Sequence, residues 1–217
     1  MKPEIRIYAL ELSPLTSEDV FRYYYDQQPL WRREKTDTLR RTADKIQSLG
    51  VGILLQKALP DKDLSLVRFG DVGKPYLPGD STRFNLSHAG DWALCAAGEA
   101  ELGCDIERMK DYRMNVAHRF FCPQETAMLE SAPTPQLQQE LFFRLWTLKE
   151  SYLKAVGKGL TKPLNSFCVV FGAENPALRG LEDQWLLREY DVAPGYRCAL
   201  CAAAGAVPPE NVTVITI

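Results

Sequence analysis

The chain has 217 residues, of which 46% are hydrophobic and 25% are charged, as in an ordinary globular protein. This composition excludes an intrinsically disordered chain, a collagen-like chain and a disulfide-dense mini-protein. With 26 basic and 28 acidic residues the formal net charge is −2, so no general attraction to nucleic acid is expected. The length suits either one large domain or two similar smaller ones.

Residues 1–6 carry both charge signs and no apolar stretch follows them, so we expect no signal peptide. The apolar run at 51–55 is too short to span a bilayer, and we expect no membrane association. Six cysteines lie mostly in apolar stretches, which predicts buried reduced thiols and a cytoplasmic location: Cys95, Cys104, Cys122, Cys168, Cys198 and Cys201. The pair at 198 and 201 lacks a second pair at zinc-site spacing, so we expect no metal there.

The first elements in chain order are a strand over residues 4–12 and helices over residues 17–26 and 38–58. In the second helix, Leu39, Ala43, Ile46, Leu49 and Ile53 recur at helical spacing. Basic residues outnumber acidic ones between 31 and 57, although the whole chain is slightly acidic. This excess indicates either an anionic ligand or simply a solvated helix face.

Strand and turn patterns follow over residues 64–107, with apolar strands at 92–97 and 102–107. Helical patterns return at 111–121, 123–131 and 136–157, and strands alternate with turns to the end. The segment Ala-Leu-Cys-Ala-Ala at 93–97 recurs at 199–203, close to half the chain length away. Either this is a chance similarity of two alanine-rich strands, or the chain contains two similar halves, 1–100 and 101–217.

Asp105 and Glu107 lie two residues apart in a predicted strand, so their side chains share one face. Two neighbouring carboxylates repel each other unless a cation or a donor lies between them. A hard divalent cation such as Mg²⁺ prefers oxygen ligands and suits this arrangement. The alternative is an exposed strand face with no ligand.

The long predicted helix carries a polar face beside its apolar stripe, formed by Thr147, Glu150, Lys154 and Lys158. Glu150 and Lys154 taken alone are a common surface pair that stabilises a helix by about 0.2–0.5 kcal/mol. If the strand carboxylates lie nearby, Glu150 completes the cation site and Lys154 contacts a phosphate.

Five segments in this order resemble the 4′-phosphopantetheinyl transferases of the Sfp type, the two-domain class that modifies carrier proteins. They are Gly-Lys-Pro at 73–75, Phe-Asn-Leu-Ser-His at 84–88, Leu-Gly-Cys-Asp-Ile-Glu at 102–107, Arg-Phe-Phe at 119–121 with Glu125, and Trp-Thr-Leu-Lys-Glu-Ser-Tyr-Leu-Lys at 146–154. Cys104 departs from the family, which usually has Ile or Val there, but this position points to the core. The resemblance implies an α+β fold of two similar halves related by a pseudo-twofold axis, each a small antiparallel sheet packed with helices.

The resemblance also implies the reaction. The serine hydroxyl of an apo acyl- or peptidyl-carrier protein attacks the β-phosphate of coenzyme A (CoA), and 3′,5′-ADP leaves. Family residues that match Asp105, Glu107 and Glu150 hold Mg²⁺, for which Mn²⁺ is a possible substitute, and Asp105 and Lys154 also contact the CoA phosphates. The predicted CoA site includes Lys74, Pro75, Asn85, Ser87 and His88. CoA carries a separate 3′-phosphate, for which the basic excess suggests Lys35 and Lys45.

Three assignments stay open at this stage. Glu125 and Glu150 are both candidates for the general base that takes the serine proton, and Lys149 is a candidate for orienting the nucleophile or a phosphate. The carrier protein is expected to dock on residues 111–121, through residues such as Arg113 and Met114.

The alternatives to a transferase are a Mg²⁺-dependent phosphohydrolase with the same carboxylates and a CoA-binding protein without catalysis. The family's short class assembles its site between subunits. A chain of two halves can place both sides of the cleft in one molecule, so a monomer is expected.

Overall fold

A computed structural model of the protein describes residues 2–157, 159, 162–172, 175–181 and 183–217. Lys158, the last residue of the predicted polar helix face, lies outside these residues. The fold is α+β, as predicted: small, mainly antiparallel sheets pack against helices. None of the helices in the described residues is long and apolar enough to cross a membrane.

The first part of the chain forms one sheet, three helices and a short hairpin. Its elements are β1 (Ile5–Glu11), α1 (Glu18–Asp26), α2 (Leu30–Thr38), α3 (Thr42–Ala58), β2 (Arg68–Phe69), β3 (Pro75–Tyr76), β4 (Arg83–Ala89) and β5 (Trp92–Gly98). The second part repeats this order of elements and then adds one further strand, β11. Its elements are β6 (Leu102–Arg108), α4 (Met114–Phe120), α5 (Pro123–Glu130), α6 (Pro135–Val156), β7 (Cys168–Phe171), β8 (Pro176–Arg179), β9 (Trp185–Tyr190), β10 (Tyr196–Ala203) and β11 (Thr213–Ile215).

The strand order repeats between the two parts. The first sheet runs β11-β1-β5-β4 and the second runs β6-β10-β9. In each sheet the strand before the helices pairs with the fourth strand after them, β5 in the first part and β10 in the second. The hairpins β2-β3 and β7-β8 occupy equivalent places in the chain. The repeated segment at 93–97 and 199–203 lies in the central strands β5 and β10. Similar order at matching positions favours two related halves over a chance similarity.

The end of the chain returns to the first sheet. Strand β11 pairs in parallel with β1, with Tyr8 opposite Thr213 and Leu10 opposite Ile215. Residue 207 also forms an isolated bridge to Glu4. The segment after β10 therefore belongs to the sheet of the first half. A division of the chain at residue 100 separates this segment from the sheet with which it pairs.

Three groups of buried side chains form the core. One lies between α3 and the first sheet, and a second lies between α6 and the second sheet. The third fills the space between the sheets, with Ile7 and Leu94 from the first half and Leu102 and Leu200 from the second. This shared core holds the two halves together.

Helix α2 was not predicted from the sequence, because only a few of its residues are apolar. Its buried residues are Arg32 and Thr36, and Trp31 packs at the edge of the first core. Thr36 shares a hydrogen bond of 2.8 Å with Ser48 of α3. The helix thus depends on polar contacts with its neighbour, which hydrophobic periodicity does not reveal.

The prediction of six reduced cysteines was wrong for two of them. Cys122 at the start of α5 and Cys168 of β7 form a disulfide across 46 residues of sequence. The other four cysteines are free and buried, including the 198/201 pair. Cys198 and Cys201 lie three positions apart in β10 and thus on opposite faces of that strand.

Candidate active site

The centre of the site is Asp105, which lies where the two sheets meet. Strand β4 is an edge of the first sheet and β6 is an edge of the second. Asp105 on β6 is buried, and its Oδ1 accepts hydrogen bonds from Ser87 Oγ of β4 at 2.9 Å and from Lys154 Nζ of α6 at 2.6 Å. Three elements therefore converge on one carboxylate oxygen.

Helix α6 approaches β6 closely because of Gly103. A Cβ at this position would lie 2.2 Å from the carbonyl oxygen of Ser151 and 2.3 Å from the backbone nitrogen of Ala155. Only a residue without a side chain permits this contact. The contact lets Lys154, on the facing turn of α6, reach Asp105 on the strand.

The second oxygen of Asp105 is buried and has no hydrogen-bond partner among the described residues. Burial and then the charge of Asp105 raise the pKa of Glu107 to about 7. Burial followed by Asp105 also raises the pKa of Glu150. These carboxyl groups repel each other, so a cation placed between them relieves an unfavourable interaction.

The oxygen donors of these three carboxyl groups are of the kind that a hard divalent cation prefers. Among the described residues no group of three or more His, Cys, Asp or Glu side chains is arranged to hold a metal ion on its own. Mg²⁺, however, usually keeps several waters and binds through one or two carboxylates together with substrate phosphates. The donor set with its unpartnered oxygen suits that mode better than a closed protein cage.

Lys154 remains protonated beside this group. Burial has the largest single effect and lowers the pKa of Lys154, but the charge of Asp105, its hydrogen bond and the nearby Glu150 act together in the other direction, and the net pKa is raised. The side chain also donates to Ser87 Oγ at 2.9 Å. Lys154 thus supplies a fixed positive charge at the seam between the two halves.

A cleft of about 440 Å³ opens beside Lys154, between α2, α3, the β2-β3 hairpin and α6. Five of its lining residues are basic: Arg32, Lys35, Lys74, His88 and Lys154. Pro75, Asn85 and Glu150 also line it. The structure thus brings these predicted CoA residues to one cleft, and Ser87 and Asp105 meet Lys154 at its edge. Lys45 is not among the residues lining the cleft, so its assignment to the 3′-phosphate lacks support.

Lys74 already has partners in this cleft. Its ammonium group donates to the carbonyl oxygen of Ala155 at 2.6 Å and to Glu101 at 3.1 Å. Lys74 therefore ties the β2-β3 hairpin to the end of α6. It shapes the wall of the cleft at least as much as it adds positive charge.

Arg32 is the residue of the cleft that the sequence analysis missed. It is 3% exposed, its Nε has no hydrogen-bond partner, and no ion pair involves it among the described residues. Burial lowers the pKa of Arg32 to about 10, so it stays charged at neutral pH. A buried cation without a counter-ion indicates an anion-binding position. In the sequence it was one of several basic residues in a run, with nothing to distinguish it.

His88 lies at the exposed lip of the same cleft. Desolvation, followed by the charges of Lys154, Lys35 and Arg32, lowers its pKa. The imidazole is therefore mostly neutral near pH 7 until an anion compensates the surrounding positive charge.

Glu125 and Lys149 lie apart from this centre, in the core of the second half. Both side chains are fully buried and form an ion pair of 2.9 Å. Lys149 also donates to the carbonyl oxygens of Leu164 and Phe167, and Glu125 accepts from the backbone of Cys122 and Val169. Neither group is accessible to a substrate. Their predicted catalytic roles are not supported, and their partners indicate a structural pair.

Residues 111–121 lie on the second half, in and before α4. Arg113 is exposed, whereas Met114 is half-buried and receives a contact from Tyr112. Phe121 is buried in the second core. The predicted docking segment therefore offers arginine side chains to solvent more than a continuous apolar surface.

The family model for the 4′-phosphopantetheinyl transferase superfamily matches residues 101–201, which include Asp105, Glu107, Glu150 and Lys154. A 4′-phosphopantetheinyl transferase of Bacillus subtilis is 36% identical over 79% of this chain and 80% of its own length. The 4′-phosphopantetheinyl transferase Sfp of Bacillus subtilis strain 168 is 32% identical over 98% of both chains.

The chain belongs to the 4′-phosphopantetheinyl transferase superfamily. It is an enzyme of the phosphopantetheinyl transferase type, as its relatives are. Among solved structures, the holo-[acyl-carrier-protein] synthase of Thermotoga maritima aligns with 48% of this transferase and 62% of its own chain, at 17% identity and a TM-score of 0.41. The two relatives from Bacillus subtilis confirm the Sfp-type resemblance predicted from the five sequence segments.

Proposed function

We propose that this transferase moves the 4′-phosphopantetheine group of CoA to a serine of an apo acyl- or peptidyl-carrier protein, with Mg²⁺ and with release of 3′,5′-ADP. The observation that carries the proposal is the Asp105 carboxylate. One oxygen is held by Lys154 and Ser87, and the other is buried with no partner in the described part of the chain, beside a cleft rich in basic residues.

The basic cleft is the proposed site for the nucleotide part of CoA. Its phosphates would find Lys154 at the seam and Arg32, Lys35 and His88 farther along the cleft. We assign the 3′-phosphate to Arg32 and Lys35, because the guanidinium of Arg32 is buried and no described residue serves as its counter-ion. A planar guanidinium also matches the geometry of a phosphate.

Asp105, Glu107 and Glu150 are the residues proposed to hold Mg²⁺. When bound, a divalent cation neutralises developing charge on the phosphate oxygens and orients the pyrophosphate. Asp105 contributes its unpartnered oxygen, and the two glutamates contribute carboxyl groups whose raised pKa falls when a cation is near.

In the proposed reaction the serine Oγ forms a bond to the β-phosphorus of CoA, and the bond from that phosphorus to the oxygen of 3′,5′-ADP breaks. Lys154 stabilises negative charge on the phosphate oxygens. Glu150 is the remaining candidate to accept the serine proton, because Glu125 is enclosed in the core.

Both walls of the cleft come from one chain, which supports a monomer. Helix α2 supplies Arg32 and Lys35 to one wall and α6 supplies Lys154 to the other, with Asp105 of β6 bonded to Lys154 at the edge of the cleft. A cytoplasmic location is supported by the four free cysteines. Because a disulfide such as Cys122–Cys168 is rare in that compartment, a thiol count on freshly extracted protein tests the location.

The experiment that tests the function is intact-mass spectrometry of a set of apo carrier proteins after incubation with enzyme, CoA and Mg²⁺. A gain of one phosphopantetheine by a carrier, together with release of 3′,5′-ADP, supports the transferase. Consumption of CoA with every carrier unchanged would instead indicate a phosphohydrolase. Binding of CoA without either product would indicate a protein without catalysis.

A further inference from the structure

The resemblance to the family suggested Asn85 and Ser87 as CoA ligands, but their contacts indicate a different role. We propose that Asn85 and Ser87 are positioning residues that join the edge strands of the two sheets and thereby fix the Asp105 carboxylate. This inference rests on the proposed function, because that function gives Asp105 its role in the reaction. Its first test, however, needs neither CoA nor a metal.

The two side chains replace a backbone ladder between β4 and β6. Asn85 Oδ1 accepts from the backbone nitrogen of Cys104 at 2.9 Å, and Ser87 Oγ accepts from that of Ile106 at 3.3 Å. In both contacts the donor lies 19 residues after the acceptor. Because this offset is the same at both positions, the two strands run in parallel here. No backbone pairing joins β4 to β6 among the described residues, where the sheet orders end at these two strands.

An edge strand has backbone N–H groups that need partners when they are buried. Cys104 and Ile106 are both buried, and their N–H groups point away from β10. Asn85 and Ser87 are two positions apart on β4, which places both side chains on the side that faces β6. The pair therefore satisfies both donors, and Asp105 lies between the two anchored residues.

The hydrogen-bonding capacity of Ser87 leaves no room for a phosphate. A serine hydroxyl has one donor and two acceptor positions. Ser87 donates to Asp105, and it accepts from Ile106 and from Lys154 at 2.9 Å. All three positions are thus occupied within the protein. Asn85 differs, because its Oδ1 accepts from Cys104 while its amide NH₂ group keeps two donors toward the cleft that it lines, so for this residue the binding experiment below decides.

Amide hydrogen exchange of the free enzyme tests the anchoring. In Ser87→Ala we expect the Ile106 amide to exchange at least about tenfold faster, and in Asn85→Ala we expect the same of Cys104. The Asp105 amide is the internal control, because it points to β10, where Ala199 is its register partner. Unchanged exchange at both anchored amides in both variants would overturn the proposal.

Ligand binding then separates positioning from direct contact with CoA. For Ser87→Ala we expect the Mg²⁺ concentration needed for half-maximal transfer to rise about tenfold, with CoA affinity measured in EDTA changed less than threefold. Ser87→Thr, which keeps the hydroxyl, should restore most of the Mg²⁺ response. His88→Ala is the contrasting variant, since it should weaken CoA binding without changing exchange at Cys104 or Ile106.

The opposite pattern would overturn the inference: loss of CoA affinity in EDTA by Ser87→Ala and Asn85→Ala, with the Mg²⁺ response and amide exchange unchanged. If the parent enzyme neither binds CoA nor transfers phosphopantetheine, the proposed function fails. The exchange result still decides in that case whether the two side chains anchor β6.

Discussion

At position 149 the protein buries an ammonium group completely, next to the residue proposed as the base. The side chain of Lys149 is held by Glu125 and two carbonyl oxygens, and its amine lies 4.2 Å from the centre of the Phe167 ring. Glu150 follows it in the chain, yet it points to the cleft, because neighbours on a helix lie about 100° apart. Adjacent residues thus have separate tasks.

We predict that Lys149→Met lowers the free energy of unfolding by about 3–5 kcal/mol, because it leaves the Glu125 carboxylate buried without its cation. Guanidinium denaturation measures this loss. The double variant Glu125→Gln with Lys149→Met is the control and should recover part of the stability, since it removes the buried charge. A Lys149→Met enzyme as stable as the parent but without transfer activity would restore a direct catalytic role.

Glu107 makes the binding of Mg²⁺ depend on pH. Its pKa is raised to about 7, so below that pH a proton competes with the cation for the carboxylate. We predict that the affinity for Mg²⁺, measured by titration calorimetry in the presence of CoA, increases about tenfold from about pH 6 to about pH 8. Glu107→Gln, which cannot titrate, should bind more weakly and lose most of this dependence. An affinity of the parent that is constant over this range would contradict the assignment.

Among the elements, α6 and β6 carry most of the proposed chemistry, and Gly103 sets the distance between them. We predict that Gly103→Ala moves α6 away from β6, because the new Cβ would overlap Ser151 and Ala155 backbone atoms. The expected cost is about 1–3 kcal/mol of stability, with a larger proportional loss of transfer than of CoA binding. Gly195→Ala is a control at a glycine with open space around its Cβ, although its positive φ adds some strain of its own. Parent-like activity of Gly103→Ala would contradict the role of the close contact.

The disulfide joins α5 to β7 around the buried Glu125. We predict that reduction lowers the free energy of unfolding by about 2–4 kcal/mol, because the unfolded chain regains the freedom of the 46-residue loop. Denaturation with and without a thiol reductant measures this change. The double variant Cys122→Ser with Cys168→Ser should not respond to reductant. Six titratable thiols in the unreduced, denatured protein would show that the bond does not form.

The elements differ in how well the sequence predicts them. The long helix and the strands at 92–97 and 102–107 have clear apolar periodicity, and the structure contains them with small changes of boundary. Helix α2 lacks such a pattern, because Trp31, Arg32 and Thr36 gain their burial only from α3 and the hairpin. The disulfide could not be predicted from the sequence either, because its two cysteines meet only when β7 packs on α5.

The candidate site was predictable where a motif specified it. Asp105 and Lys154 belong to segments that resemble the family, and the structure brings them to 2.6 Å. The unpaired state of Arg32 and the saturated bonds of Glu125 were not predictable, because both depend on the neighbours that folding provides. The same is true of Ser87, whose three partners come from two elements far apart in the chain.

At the scale of the whole molecule, the two halves are similar in strand order but different in charge. The first half supplies the basic wall with Arg32 and Lys35, and the second supplies Asp105, Glu107 and Glu150. Although the formal net charge of the whole chain is close to zero, a basic surface and an acidic surface meet where the two halves join. Strands β4 and β6 meet at this junction. The residues that join the two halves are therefore also residues of the proposed site.

The most direct test of this account is the rate at which an apo carrier protein gains phosphopantetheine with parent enzyme and with Asp105→Asn, at saturating CoA. Asp26→Asn, at an exposed carboxylate on α1, is the matched control and should retain the parent rate. We predict that Asp105→Asn is slower by about a hundredfold or more, with its fold intact by circular dichroism. A rate within a few-fold of the parent would contradict the central role of Asp105.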